Sequence, residues 1–216
     1  MIKNTTKEFL RNSTILLVIL SIVITSCQKK ATEKSIIKTD SIADNATPNE
    51  IKDSVMYTKT LSLQNISFTI KAFKDYVVIT PKGYLVDNKP VSKPIDGTIT
   101  NAEIEDLNSD GYPEVMIFCT SAGSGSYGSV LGFSSNKNKS MSEIAFPSFI
   151  DNPKINKGYM GHDEFAIVET NVVQRFPIYN EGDTNSNPTG KMRQIQYKLK
   201  EGEASRKLVV DKIIEY

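Results

Sequence analysis

Tryptophan is absent from this 216-residue chain, histidine occurs once and cysteine twice. A single histidine, His162, with no second ligand at metal spacing gives no zinc site and reads as structural. Charge of one sign is missing as well: 26 Lys and Arg stand against 25 Asp and Glu. No basic stripe breaks that balance, which argues against nucleic acid as a partner. Long apolar runs are scarce. The clearest, Ile15 to Ile24, is broken by Ser21 and is too short to span a bilayer. Beyond it no long segment repeats its apolar residues with a helical period.

What is present begins with that run. It follows Lys3, Lys7 and Arg11 and ends in Ile24-Thr25-Ser26-Cys27. Small residues before a cysteine, after such a core, resemble a bacterial lipobox. The resemblance implies a leader over 1–26, cleavage before Cys27 and acylation of its thiol and new terminus. Several acyl chains anchor stably where one is marginal. Losing Lys3, Lys7, Arg11 and Glu8 with the leader leaves the chain close to neutral. Residues 27–55 are polar and poor in aromatics, the composition of a tether. Lys29 and Lys30 follow the cysteine where surface-exposed lipoproteins tend to be acidic. The expected location is therefore the periplasmic face of the outer membrane. With Cys27 lipidated, Cys119 has no partner and no disulfide framework is possible. Cys119 ends the apolar stretch Val115-Met116-Ile117-Phe118 and reads as a small buried hydrophobe.

Residues 56–216 suit one domain with one core. Runs of strand type follow each other: Tyr57–Leu63, the alternating Ile66, Phe68 and Ile70, then Asp75–Thr80, Ile99–Ile104, Val115–Thr120 and Ser129–Phe133. Phe165–Val168, Val172–Tyr179, Ile195–Leu199 and Leu208–Ile214 complete the series. Met141–Phe149 fits a short helix or a strand. Turn signals separate the runs, among them Pro81-Lys82-Gly83, Asp96-Gly97, Asp110-Gly111 and Glu201-Gly202. The pattern predicts an all-β fold, an antiparallel sandwich-like single domain.

Between two of these strands lies Thr120-Ser121-Ala122-Gly123-Ser124-Gly125-Ser126-Tyr127-Gly128-Ser129. Gly123, Gly125 and Gly128 imitate the spaced glycines of a dinucleotide site. That site requires a helix immediately after the loop, and Val130-Leu131-Gly132-Phe133 reads as a strand. The loop instead offers neutral hydroxyls and a phenol on a backbone that glycine lets approach a partner closely. Such a loop suits a polar cleft containing carboxylates.

Ser124-Gly125-Ser126-Tyr127 matches the Ser-Gly-x-Tyr motif of bacterial lysozyme inhibitors. With Thr60–Phe68, Asp106–Gly111, Lys139–Ile144, Gly158–Phe165, Arg175–Tyr179 and Glu181–Asn185, it resembles the periplasmic inhibitor of invertebrate-type (i-type) lysozyme. The resemblance implies a binding protein rather than an enzyme, with i-type lysozyme as its partner. It implies that Ser124, Gly125, Ser126 and Tyr127 enter the enzyme's cleft, Ser124 and Tyr127 meeting its catalytic carboxylates. It also implies a homodimer. The lipobox and tether depart from the freely periplasmic members.

Two further constellations compete with this reading. Asp106, Asn108, Asp110 and Glu114, with Gly111, resemble a calcium loop whose oxygen ligands suit Ca²⁺. The position where a bidentate acid should close it holds Ile117. The same residues make a good turn, and no cofactor is expected beyond this possible Ca²⁺. The alternatives are thus a calcium-stabilised adhesion or recognition module, and an enzyme using His162, Asp163 and Glu164. Arg175 is expected to point outward and pair with an acid.

Overall fold

The computed structural model describes residues 54–149 and 151–216, all within the compact unit Glu50–Tyr216. The leader, Cys27 and most of the tether lie outside the described residues. Twelve strands form three four-stranded antiparallel sheets, each a meander of consecutive strands. The first holds β1 (Tyr57–Leu63), β2 (Ile66–Ala72), β3 (Tyr76–Lys82) and β4 (Val91–Pro94). The second holds β5 (Thr98–Glu105), β6 (Glu114–Thr120), β7 (Gly128–Ser135) and β8 (Met141–Ile144). The third, in order β12-β11-β10-β9, holds β9 (Glu164–Val168), β10 (Asn171–Pro177), β11 (Met192–Lys200) and β12 (Lys207–Glu215). The all-β sandwich-like expectation is met.

The sandwich has two cores rather than one. Val115, Ile117 and Cys119 pack with Phe68, Ile70 and Ile79 of the first sheet. Met116 and Phe118 pack with Phe176, Ile195 and Tyr197 of the third. Successive side chains on a strand point to opposite faces, so β6 serves both cores and the second sheet is the middle layer. This explains its sequence: a strand covered on both faces reads as a continuous apolar run. The outer strands alternate instead, β2 and β11 burying every second residue. Lys59, which interrupts the apolar side of β1, ties the first two sheets together. Its ammonium donates to Asn101 Oδ1 at 2.9 Å and to the Ala102 carbonyl at 2.8 Å.

Two local expectations change, for Pro81 and for the partner of Arg175, and one open reading is resolved. Pro81, read as a turn residue, lies inside β3 opposite Phe68. Proline is tolerated there because β4 pairs with β3 only from Tyr76 to Ile79. Met141–Phe149 resolves into β8 followed by a bridge at Ala145. A four-residue helix, α1 (Pro153–Asn156), starts on Asn152, whose side chain accepts from the Lys154 amide. Arg175 does point outward, but its partner is the neutral Gln194, at 2.7 Å.

Cys119 is free and buried, and burial pushes its thiol pKa up to about 11. The thiolate is the reactive form. The folded chain from Gln28 to Tyr216, in which Cys119 is the single thiol, is therefore expected to resist maleimide labelling at neutral pH, and to react once unfolded in urea. Rapid labelling of the native chain would contradict the buried position.

Candidate functional site

The β6–β7 connection, residues 121–127, closes on itself first. The Ser121 amide donates to the Tyr127 carbonyl at 2.9 Å, and the Ser126 amide to the Gly123 carbonyl at 2.9 Å. The Ser121 hydroxyl accepts from the Tyr127 amide at 3.0 Å. Ser126 takes a left-handed backbone, φ 44°.

The third sheet's loops then brace it. The His162 amide donates to the Gly125 carbonyl at 2.6 Å, and Asn185 Nδ2 to the Ser124 carbonyl at 2.6 Å. Asn185 is itself held, its side-chain oxygen lying 3.3 Å from His162 Nε2 and its carbonyl accepting from the Tyr179 hydroxyl. At the loop's far side the Gly128 amide donates to Asp163 Oδ2 at 2.7 Å. The Tyr159 hydroxyl donates to that same oxygen, and Gln174 Nε2 to the other at 2.6 Å. Gln174 accepts in turn from the buried Tyr197 hydroxyl. Burial raises the Asp163 pKa, and these three donors oppose the rise.

Two glycines make the closure possible. A Cβ on Gly125 would lie 2.4 Å from the Tyr127 ring, and one on Gly161 would lie 2.0 Å from the Gly125 carbonyl oxygen. Gly125 is accordingly buried beneath Tyr127 rather than presented at the tip. Ser124 is exposed, Ser126 partly so, and Tyr127 keeps 49% of its surface in solvent. The Tyr127 ring meets Tyr159 edge-on at 5.7 Å, and Tyr159 leads through Phe149 and Phe176 into the second core. The tip thus offers the exposed Ser124 hydroxyl, the half-buried Ser126 hydroxyl and the Tyr127 phenol from a backbone fixed on both flanks.

The other candidates do not converge in this way. The Asp106 carboxylate accepts from the Asp110 and Gly111 amides, and Asp110 from the Tyr112 amide. Asn108 bonds within the same turn, and Glu114 is buried, accepting from the Leu107 amide and the Ser134 hydroxyl. Arg206 completes the cluster through an ion pair with Asp110 at 3.0 Å. These oxygens are spent on a turn, and the described residues contain no group of three or more acids, histidines or cysteines placed to hold a metal. His162, Asp163 and Glu164 likewise part company. The first two brace the loop, and Glu164 is exposed on β9.

The brace itself was not legible in the sequence. The one sequence signal was the glycine at Gly161; that Gly161 and His162 both take positive φ is visible only in the fold.

What the fold and tip define is a layered β domain presenting one fixed, uncharged loop. Its residues 67–151 match the family described as periplasmic lysozyme inhibitor of I-type lysozyme. The match runs from β2 past β8 and includes the whole β6–β7 loop; the third sheet lies outside it. No curated protein and no solved structure matches the chain.

Proposed function

We propose that this protein inhibits i-type lysozyme by inserting the Ser124–Tyr127 tip into the enzyme's cleft, shielding peptidoglycan from hydrolysis. The observation that carries this reading is the joint exposure of Ser124 and Tyr127 on a braced loop within the family-matched stretch. Such lysozymes cut a glycosidic bond between two carboxyl groups. Neutral donors suit that cleft: they add no charge to be desolvated, and each hydrogen bond to an ionised carboxylate is worth on the order of 1.5–3 kcal/mol. Preorganisation strengthens the case, because a loop already fixed loses little entropy on binding. In this reading the chain is exported and held by lipid on Cys27, facing the periplasm, and acts as a homodimer.

The test is lysis of a peptidoglycan suspension by an i-type lysozyme, with and without soluble Glu50–Tyr216. The parent is expected to block lysis. Ser124→Ala and Tyr127→Ala are each expected to weaken inhibition roughly ten-fold or more, the loss of one charge-assisted bond. Undiminished lysis at a micromolar excess of the parent would refute the assignment.

A further inference from the structure

At the end of the domain opposite the inhibitory tip, a second surface stands out. β7 runs from Gly128, beside the tip, to Ser135, about 25 Å away at ordinary strand rise. There the β7–β8 hairpin meets the β3–β4 loop. The Leu85 amide donates to the Asn138 carbonyl at 2.9 Å, and the Val86 and Asp87 amides both donate to the Lys139 carbonyl. Tyr84, 5% exposed, roots the loop in the first core against Phe68. Asn88 ties the loop's return to the Tyr84 backbone through two hydrogen bonds.

This framework holds two apolar side chains out in water. Leu85 is 81% and Val86 75% exposed, the highest values among the large hydrophobic residues described. The two are adjacent and held out by a hydrogen-bonded scaffold rather than scattered singly, and polar residues rim them. Lys82 at the end of β3 and Lys89, Lys137 and Lys139 on the two loops are exposed, against the single acid Asp87. The neighbouring acids Asp106 and Asp110 are taken by their own turn and by Arg206.

We propose that this pole docks on an anionic phospholipid surface, Leu85 and Val86 entering the headgroup boundary and the four lysines meeting lipid phosphates. An apolar wedge within a basic ring is the combination that binds such interfaces, neither part sufficing alone. The orientation is coherent with the rest of the molecule. Docked by this pole, the domain turns Ser124 and Tyr127 away from the bilayer. The described chain enters at the tip end, where the Met56 amide donates to Ala72 and Gly97 abuts Thr120. From Cys27 to Ser54 the backbone reaches about 90 Å at full extension, ample to pass the length of the domain.

The test uses the chain from Gln28 to Tyr216, which lacks the acylatable cysteine, in flotation with vesicles of phosphatidylcholine alone or mixed with phosphatidylglycerol. Binding is expected to the mixed vesicles only and to weaken as salt is raised. Leu85→Ser/Val86→Ser should cut partitioning about ten-fold or more at unchanged melting temperature. Lys137→Glu/Lys139→Glu should cut it too and remove most of the salt dependence. No flotation with mixed vesicles would overturn the proposal. So would flotation undiminished by the serine pair. A concentration-dependent dimer that the serine pair dissolves would overturn it as well, making a second copy the occupant.

Discussion

Under the proposed function, Gly161→Ala is expected to lower lysozyme inhibition about a hundred-fold without altering the identity of any tip residue. Gly161 sits at φ +92°, a conformation costing an L-residue roughly 1–2 kcal/mol. The new methyl would also stand 2.0 Å from the Gly125 carbonyl oxygen and 3.2 Å from the Tyr127 ring. The first neighbour is backbone and cannot rotate aside. It also accepts the His162 amide at 2.6 Å, so relief requires the loop to move off its brace. Ser124 and Tyr127 then lose their positions together, and two contacts of about ten-fold each multiply to about a hundred-fold. Lysis assays beside a thermal melt separate this from unfolding. A variant that inhibits like its parent would show that the brace does not set the loop's competence.

Proton linkage at Glu114 gives the second large effect. This carboxyl is fully buried between the Leu107 amide at 2.9 Å and the Ser134 hydroxyl at 2.7 Å. Burial is the largest influence on it and pushes its pKa up to about 7, against the pull of those donors and of Arg206. A carboxyl whose pKa is higher folded than unfolded binds more protons in the native state. Stability therefore falls as pH rises from the ordinary carboxylate range to about 7, and levels off above. The size is roughly 3 kcal/mol across that window. Glu114→Gln should remove most of this slope and leave a variant more stable than its parent at about pH 8, as read by urea unfolding. Some slope should survive, because burial also raises Asp163. A parent whose stability climbs through this window would refute the assignment, as would a variant keeping the whole slope.

Strand identity was largely readable because period-two alternation and turn residues are local signals. β1 matches its expected range at both ends, and β6 was visible as an unbroken apolar run. That β6 joins two cores was not readable, since the run says that both faces are covered and not by what. β4, with Ser92, Lys93 and Pro94, carries too few apolar residues to announce itself; its place comes from pairing with β3. The tip was legible as a composition of glycine, serine and tyrosine. Its support was not, because Asn185 and Ser124 are 61 residues apart and meet only when two sheets pack. The role of Gly125 differs for the same reason: its missing side chain makes room inside the loop, beneath Tyr127.

The doubly covered β6 has a consequence for the protein's survival where proteases work. Proteases act on backbone that opens, and segments open locally in proportion to how little they bury. The β6–β7 loop departs directly from the end of β6, whose residues from Glu114 to Cys119 are all buried. Loosening the loop at that root means parting the middle layer from both cores at once, which is global unfolding. An exposed loop is therefore rooted in a strand covered on both faces, so the presenting end can meet a hydrolytic environment without fraying into it.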